Sequence, residues 1–187
     1  MYIPVEFMGG QYNHLIVRTL KELGVTSKLI MPTTPLEDLQ VDGLIMGGGP
    51  RSVNDGMDQF GDAPRVIEKC AFPLLGICLS HQLIGKVLGG EVIKGKKPEY
   101  GRTTVRVSDP DQILLGVGSE FVAWASHNDE VVKGNGNFSV LADSEYCGVE
   151  ALRHEVRPVF GVQFHVEVAD TPKGKDILRN FIGLCRK

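Results

Sequence analysis

Phe72-Pro73-Leu74-Leu75-Gly76-Ile77-Cys78-Leu79-Ser80-His81-Gln82 is the stretch on which the fold turns. Residues 73–78 are a short apolar run, the pattern of a buried parallel strand. From His81 onward, Leu83, Ile84, Val87 and Leu88 recur with helical spacing, and Gly89-Gly90 ends the pattern. A strand therefore runs into a helix with Cys78 at the joint. Gly76 permits close backbone packing or a tight turn there. Free N–H groups and the helix dipole at a helix start favour a thiolate. The turn has the form of a nucleophile elbow, with sulfur as the nucleophile. The plainer alternative is a buried structural cysteine.

The alternation continues upstream. Residues 2–7 read as a strand, although Pro4 and Glu6 are unusual in a central one. Leu15, Ile16, Leu20 and Leu23 give a helical stripe ending at Gly24. A strand over 25–30 follows, then a short helix over 35–39 with Thr34 as its N-cap. Residues 43–46 read as a strand entering Gly47-Gly48-Gly49-Pro50, and 57–69 as a helix broken or started near Pro64.

Downstream the character changes. Segments 91–94, 102–107, 121–124, 138–142, 147–152 and 158–164 read as short strands separated by Gly, Asn, Asp and Pro. Ile177, Leu178, Phe181 and Leu184 form the stripe of a closing helix. Strand–helix alternation followed by paired strands implies an α/β protein. The expected architecture is a three-layer doubly wound (flavodoxin-like) mixed sheet with a β-rich insertion in the second half. Ligands bind such sheets beyond the carboxyl ends of the strands, where Cys78 and residues 47–50 both fall.

The 187 residues suit a single domain over 1–187, with no linker or repeat in view. A net charge of −3 gives no basic surface for nucleic acid, and no apolar run spans a bilayer. The N-terminus lacks the layout of a secretory signal. Cys70, Cys78, Cys147 and Cys185 are scattered, with no zinc-ligand spacing and no disulfide framework. The expectations are a cytoplasmic location, no metal, no nucleic acid and no membrane.

A cysteine nucleophile needs a base, and the base needs an orienting partner. In Val162-Gln163-Phe164-His165-Val166-Glu167 an apolar strand again ends on a polar group. On extended backbone His165 and Glu167 point the same way, and a carboxylate against imidazole stabilises imidazolium. A solvated surface pair is the alternative. Glycines 47–49 allow backbone N–H groups to approach a ligand, as an oxyanion hole with the Leu79 N–H, or else form an ordinary tight turn. Trp124-Ala125-Ser126-His127-Asn128-Asp129 reads as a substrate-facing loop or a plain turn. His127 is a second candidate base, with Asp129 its nearest carboxylate in sequence. His14 and His154 read as surface or helix-face histidines.

These segments together resemble a known family. Gly76-Ile77-Cys78-Leu79-Ser80-His81-Gln82 resembles the GICxGHQ nucleophile motif of class I, triad-type glutamine amidotransferases. Val162-Gln163-Phe164-His165-Val166-Glu167 resembles their VQFHPE motif, and Gly47-Gly48-Gly49-Pro50 their SGGP segment, in the same order. Gly9-Gly10-Gln11-Tyr12, Pro98-Glu99-Tyr100-Gly101 and the run from Trp124 to Val131 are similar to GMP synthetases within that family. At this length the chain is similar to a free-standing glutaminase subunit, without ATP-pyrophosphatase or dimerisation domains.

The resemblance implies a Cys78–His165–Glu167 triad that hydrolyses L-glutamine. It implies an oxyanion hole from Gly48 or Gly49 with Leu79, and glutamine held by Gln82, Ser126, His127 and Asp129. Ammonia would pass to a separate ATP-pyrophosphatase subunit that aminates XMP to GMP. ATP and Mg²⁺ would sit on that partner, and no cofactor on this chain. Other synthase partners (anthranilate, aminodeoxychorismate, carbamoyl phosphate) and an inactive regulatory role are the alternatives. Five residues depart from the pattern. Ser80 stands for glycine and is expected to crowd the elbow. Val166 stands for proline and is expected to loosen the link between His165 and Glu167. Gly47 stands for serine, and Phe7-Met8 for an acidic residue and its neighbour.

Overall fold

A computed structural model describes residues 1–110 and 112–186. Among the described residues, nine strands form one mixed sheet in the order β2-β1-β3-β4-β9-β8-β7-β5-β6. β1 (Val5–Glu6), β2 (Leu29–Ile30), β3 (Leu44–Met46), β4 (Leu74–Ile77) and β9 (Val159–Val162) are parallel neighbours. The helices α1 (Asn13–Glu22), α2 (Ala63–Lys69), α3 (Leu79–Val87) and α4 (Gly174–Leu184) flank them. The antiparallel part comprises β5 (Glu91–Val107), β6 (Glu120–Val132), β7 (Phe138–Asp143) and β8 (Ala151–His154). It leaves after α3 and returns through β9 beside β4, so the β-rich second half is an insertion in the parallel order.

Strand alternation builds the three layers. Ile45, Leu75 and Ile77 point into one core with Ile16 and Leu20 of α1 and Ile177 and Phe181 of α4. Leu44, Met46 and Leu74 point into the other, with Val66 and Ile67 of α2 and Leu83 and Ile84 of α3. Successive side chains on a strand face opposite sides, and burying both faces requires strands apolar throughout, as β3 and β4 are.

β1 lies between β2 and β3, so the crossovers leave it in opposite directions and open a crevice at its carboxyl end. The segments after β1, β3 and β4 meet there. Pro4 is tolerated because regular pairing of β1 begins only at Val5, whereas Glu6 is one of the two paired residues and is buried there.

The sheet also curls. β6 is the far edge strand, yet Trp124 at its middle bridges His165, just beyond β9. The His165 N–H donates to the Trp124 carbonyl at 2.9 Å. Residues 126–129, expected as a loop, are therefore strand. Thr34 is not a helix cap: its hydroxyl donates to the Met31 carbonyl, and residues 36–38 form one 3-10 turn.

Candidate active site

Cys78 sits between β4 and α3 with φ +54° and ψ −105°, a conformation a non-glycine residue rarely adopts. Two bonds hold it there. Its N–H donates to the Val162 carbonyl at 2.9 Å, and its carbonyl accepts from the Gln82 N–H at 3.2 Å. The elbow needs Gly76. A Cβ there would lie 2.5 Å from Ile84 Cδ1 and 2.7 Å from the Ser80 carbonyl oxygen, so only glycine lets α3 fold back this closely onto β4.

The ten residues singled out from the sequence line one cavity of about 610 Å³. They are Cys78, His165, Glu167, Gly48, Gly49, Leu79, Gln82, Ser126, His127 and Asp129. That volume suits a small-molecule ligand. Cys78 Sγ lies 3.8 Å from the Ser126 carbonyl oxygen and 3.8 Å from the amide nitrogen of Gln163. His165 Nδ1 lies 2.7 Å from Glu167 Oε1, with both side chains buried.

Burial opposes charge on His165. Hydrogen bonds and charge attraction to Cys78 and Glu167 outweigh it and raise the imidazolium pKa to about 10. Cysteine, imidazole and carboxylate thus form a chain centred on a protonated ring.

The replacement of proline by Val166 has not loosened this pair, because other contacts fix it. The Thr171 hydroxyl donates to the His165 carbonyl at 2.6 Å and accepts from the Trp124 N–H at 2.9 Å. Tyr12 packs edge-on against the His165 ring at 5.3 Å. Ser80 does not crowd the elbow either. Its buried hydroxyl donates to the Gly47 carbonyl at 2.6 Å.

The glycine segment is locked by Asn13, the first residue of α1. Asn13 Nδ2 donates to the carbonyls of Gly10 at 2.6 Å and Gly48 at 3.1 Å, and the Gly10 N–H also donates to Gly48 at 3.0 Å. In a planar trans peptide the N–H opposes the C=O. The Gly49 N–H therefore faces away from Asn13 and Gly10. As first residue of α3, Leu79 has an N–H with no acceptor inside the helix.

Some expected residues have other partners. Gln82 Nε2 donates to the Asp129 carbonyl at 2.8 Å and to Gln163 Oε1 at 3.2 Å, so its donors are engaged within the protein. Asp129 Oδ2 accepts from the Ser52 hydroxyl at 3.0 Å. The carboxylate partner of His127 is Glu99, at 3.2 Å from Nε2, and not Asp129, whose backbone carbonyl faces Nδ1 at 3.1 Å. Glu99 lies directly opposite His127 in the β5–β6 ladder, a pairing that only strand register reveals. Gln163, Tyr12 and Asn13 also belong to the site. All three lie in or beside the motif segments, and that adjacency is the signal the sequence offers for them. His14 is exposed, as expected, whereas His154 is buried and accepts the N–H groups of Val156 and Arg157, both at 3.0 Å.

The model of the family described as glutamine amidotransferase class-I matches residues 7–184. The chain belongs to this family. Among relatives, a glutamine-hydrolyzing GMP synthase subunit of Sulfolobus acidocaldarius is 50% identical over the full length of both chains. The protein of the same name from Archaeoglobus fulgidus is 46% identical, again over the whole of both. A crystal structure of a candidate GMP synthase subunit from Thermoplasma acidophilum superposes with a TM-score of 0.93 at 38% identity, covering 100% of this chain and 94% of that one. A glutamine amidotransferase from Thermotoga maritima shares the fold, with a TM-score of 0.83 at 17% identity and 100% and 99% coverage. This amidotransferase chain is thus an α/β protein with a single curled mixed sheet. No helix among its described residues is long and apolar enough to cross a membrane. Its four cysteines are free thiols.

Proposed function

We propose that this amidotransferase is the glutaminase component of a two-subunit GMP synthase. The observation that carries the chemistry is the buried Cys78–His165–Glu167 chain with its imidazolium held up to about 10. Full-length likeness to glutamine-hydrolyzing GMP synthase subunits supports the partner reaction.

Cys78, as thiolate, attacks the side-chain amide carbon of glutamine. Negative charge builds on the amide oxygen, which the Gly49 and Leu79 N–H groups stabilise, with Gly48 shaping the wall beside them. The His165 imidazolium gives its proton to the departing nitrogen, the C–N bond breaks, and ammonia leaves with a γ-glutamyl thioester behind. Neutral His165 then takes a proton from water. The hydroxide attacks the thioester, glutamate leaves, and Cys78 regains the electron pair of the C–S bond while the imidazolium is restored. Glu167 keeps the ring oriented and stabilises its charged form. Gln82 offers its carbonyl oxygen to the substrate, and Ser126, His127 and Asp129 line the glutamine cavity.

In this reading ammonia passes to a separate ATP-pyrophosphatase subunit that holds ATP and Mg²⁺ and aminates XMP. The test mixes the two subunits with XMP, ATP, Mg²⁺ and either glutamine or ammonium. GMP formation from glutamine that is lost in Cys78→Ala, while ammonium still works, supports the proposal. Glutamine-independent synthesis only, with the wild-type chain present, sinks it.

A further inference from the structure

We propose that Glu99, His127, Cys147 and Glu150 form a binding site for a divalent metal ion of the zinc class, set behind the wall of the glutamine cavity. All four are buried, and one ligand atom from each lies within 4.8 Å of all the others. The fold assembles them from β5, β6, the turn after β7 and the residue before β8, so no spacing in the sequence announces them.

The secondary contacts favour a ligand. Glu99 Oε1 accepts the Thr103 hydroxyl at 2.8 Å and the Ser144 hydroxyl at 3.1 Å, leaving Oε2 toward the cluster. His127 Nδ1 lies 3.1 Å from the Asp129 carbonyl, which fixes the ring with Nε2 toward the cluster. A backbone carbonyl or hydroxyl behind each ligating group is how metal ligands are oriented. The Cys147 N–H is held by the Ser144 hydroxyl at 3.0 Å. Glu150 is fully buried, and neither of its carboxyl oxygens makes a well-formed hydrogen bond among the described residues; the Glu99 carboxyl and the Ser144 hydroxyl, whose proton goes to Glu99, are the polar groups that lie against it.

A buried carboxylate without a well-formed hydrogen bond is costly, and here a second carboxylate and a thiol lie against it. A cation resolves this. Thiolate, imidazole and two carboxylates are a four-ligand set for zinc, whereas the sulfur and nitrogen disfavour magnesium and calcium. On binding, the Cys147 thiol and any protonated carboxyl release their protons to solvent. The ion would fix His127 from its Nε2 side. The proposal is independent of the glutaminase reading, since its readout is metal and not turnover.

The test is to refold or express the full chain with Zn²⁺, remove loosely held metal by gel filtration, and measure retained zinc. Co²⁺ loading is followed by absorption. The wild type is expected to retain stoichiometric zinc and to show a thiolate-to-cobalt charge-transfer band. Cys147→Ser should lose the band, and both Cys147→Ser and Glu150→Gln should lower zinc affinity at least about tenfold. Cys78→Ser should keep the band, which separates the site from the catalytic thiol. Circular dichroism establishes that each variant is folded. A wild type that retains no zinc, or folded Cys147→Ser and Glu150→Gln variants that retain it equally, overturns the proposal and leaves a proton shared between Glu150 and Glu99 as the countercharge.

Discussion

The Ser80 hydroxyl donates to the Gly47 carbonyl across 2.6 Å, inside the protein. Both residues depart from the family pattern, and they depart as a pair: glycine stands where serine is usual, and serine where glycine is usual. A Cβ on Gly47 would fall 1.4 Å from Asn13 Oδ1, so Asn13 now fills the space a side chain would need. Ser80→Ala leaves a buried carbonyl without its donor and should cost about 1–2 kcal/mol in chemical denaturation. Gly47→Ser should cost more, and shortening Asn13 in the same chain should recover part of that loss. Equal effects of Gly47→Ser with and without Asn13→Ala would disprove the clash.

Asn13 also makes a kinetic prediction. By holding the Gly48 carbonyl at 3.1 Å it sets the direction of the Gly49 N–H. Asn13→Ala should lower kcat by about 10–100-fold with little change in KM, because the oxyanion forms only in the transition state. An effect confined to KM would place Asn13 in substrate binding instead.

Glu167→Gln tests the ring charge. Burial works against the His165 imidazolium, while Cys78 and Glu167 together raise it to about 10. Activity that needs the imidazolium as acid is present below that value and lost as pH rises through it. Removing the carboxylate charge should move this alkaline limb to lower pH and reduce kcat by about 10²–10⁴-fold. A pH profile of kcat for both proteins decides, and an unmoved limb would mean that Glu167 does not support the ring.

The parts of the site legible in the sequence are those encoded in one stretch of chain. Cys78 directly follows the apolar strand β4 and His165 stands three residues beyond β9, and Glu167 faces His165 as the two-residue spacing suggests, although residues 166 and 167 are not strand. What the sequence leaves open comes from long-range pairing. Ser126, His127, Asn128 and Asp129 have the composition of a turn, yet the β5 ladder holds them extended, with Glu99 opposite His127. Nothing local to His127 announces a carboxylate from another strand. The curl that brings Trp124 against His165 is likewise a property of the whole sheet. The loosening expected at Val166 fails for the same reason: the rigidity a proline would give is supplied by Thr171 and Trp124, which lie outside the motif.

Glu6 gives a prediction in stability and not in rate. It is fully buried on β1, and neither carboxyl oxygen has a hydrogen-bond partner among the described residues. Burial, helped by the charge of Asp62, raises its pKa from 4.5 to about 8. Below the ordinary value the carboxyl is protonated in the folded and unfolded chain alike, and its contribution to stability is fully present. As pH rises the unfolded chain ionises first, so stability is lost progressively until the folded carboxyl ionises as well. The wild type should therefore lose roughly 3–5 kcal/mol relative to Glu6→Gln between about pH 4.5 and pH 8. Taking the difference between the two proteins cancels His81, whose buried ring has its pKa pushed down to about 3 and destabilises the fold on the acid side. Urea denaturation of both proteins across that range checks it. A difference in stability that stays constant with pH would mean that Glu6 is ionised or solvated in the folded chain, and that β1 does not bury a neutral acid beside the crevice.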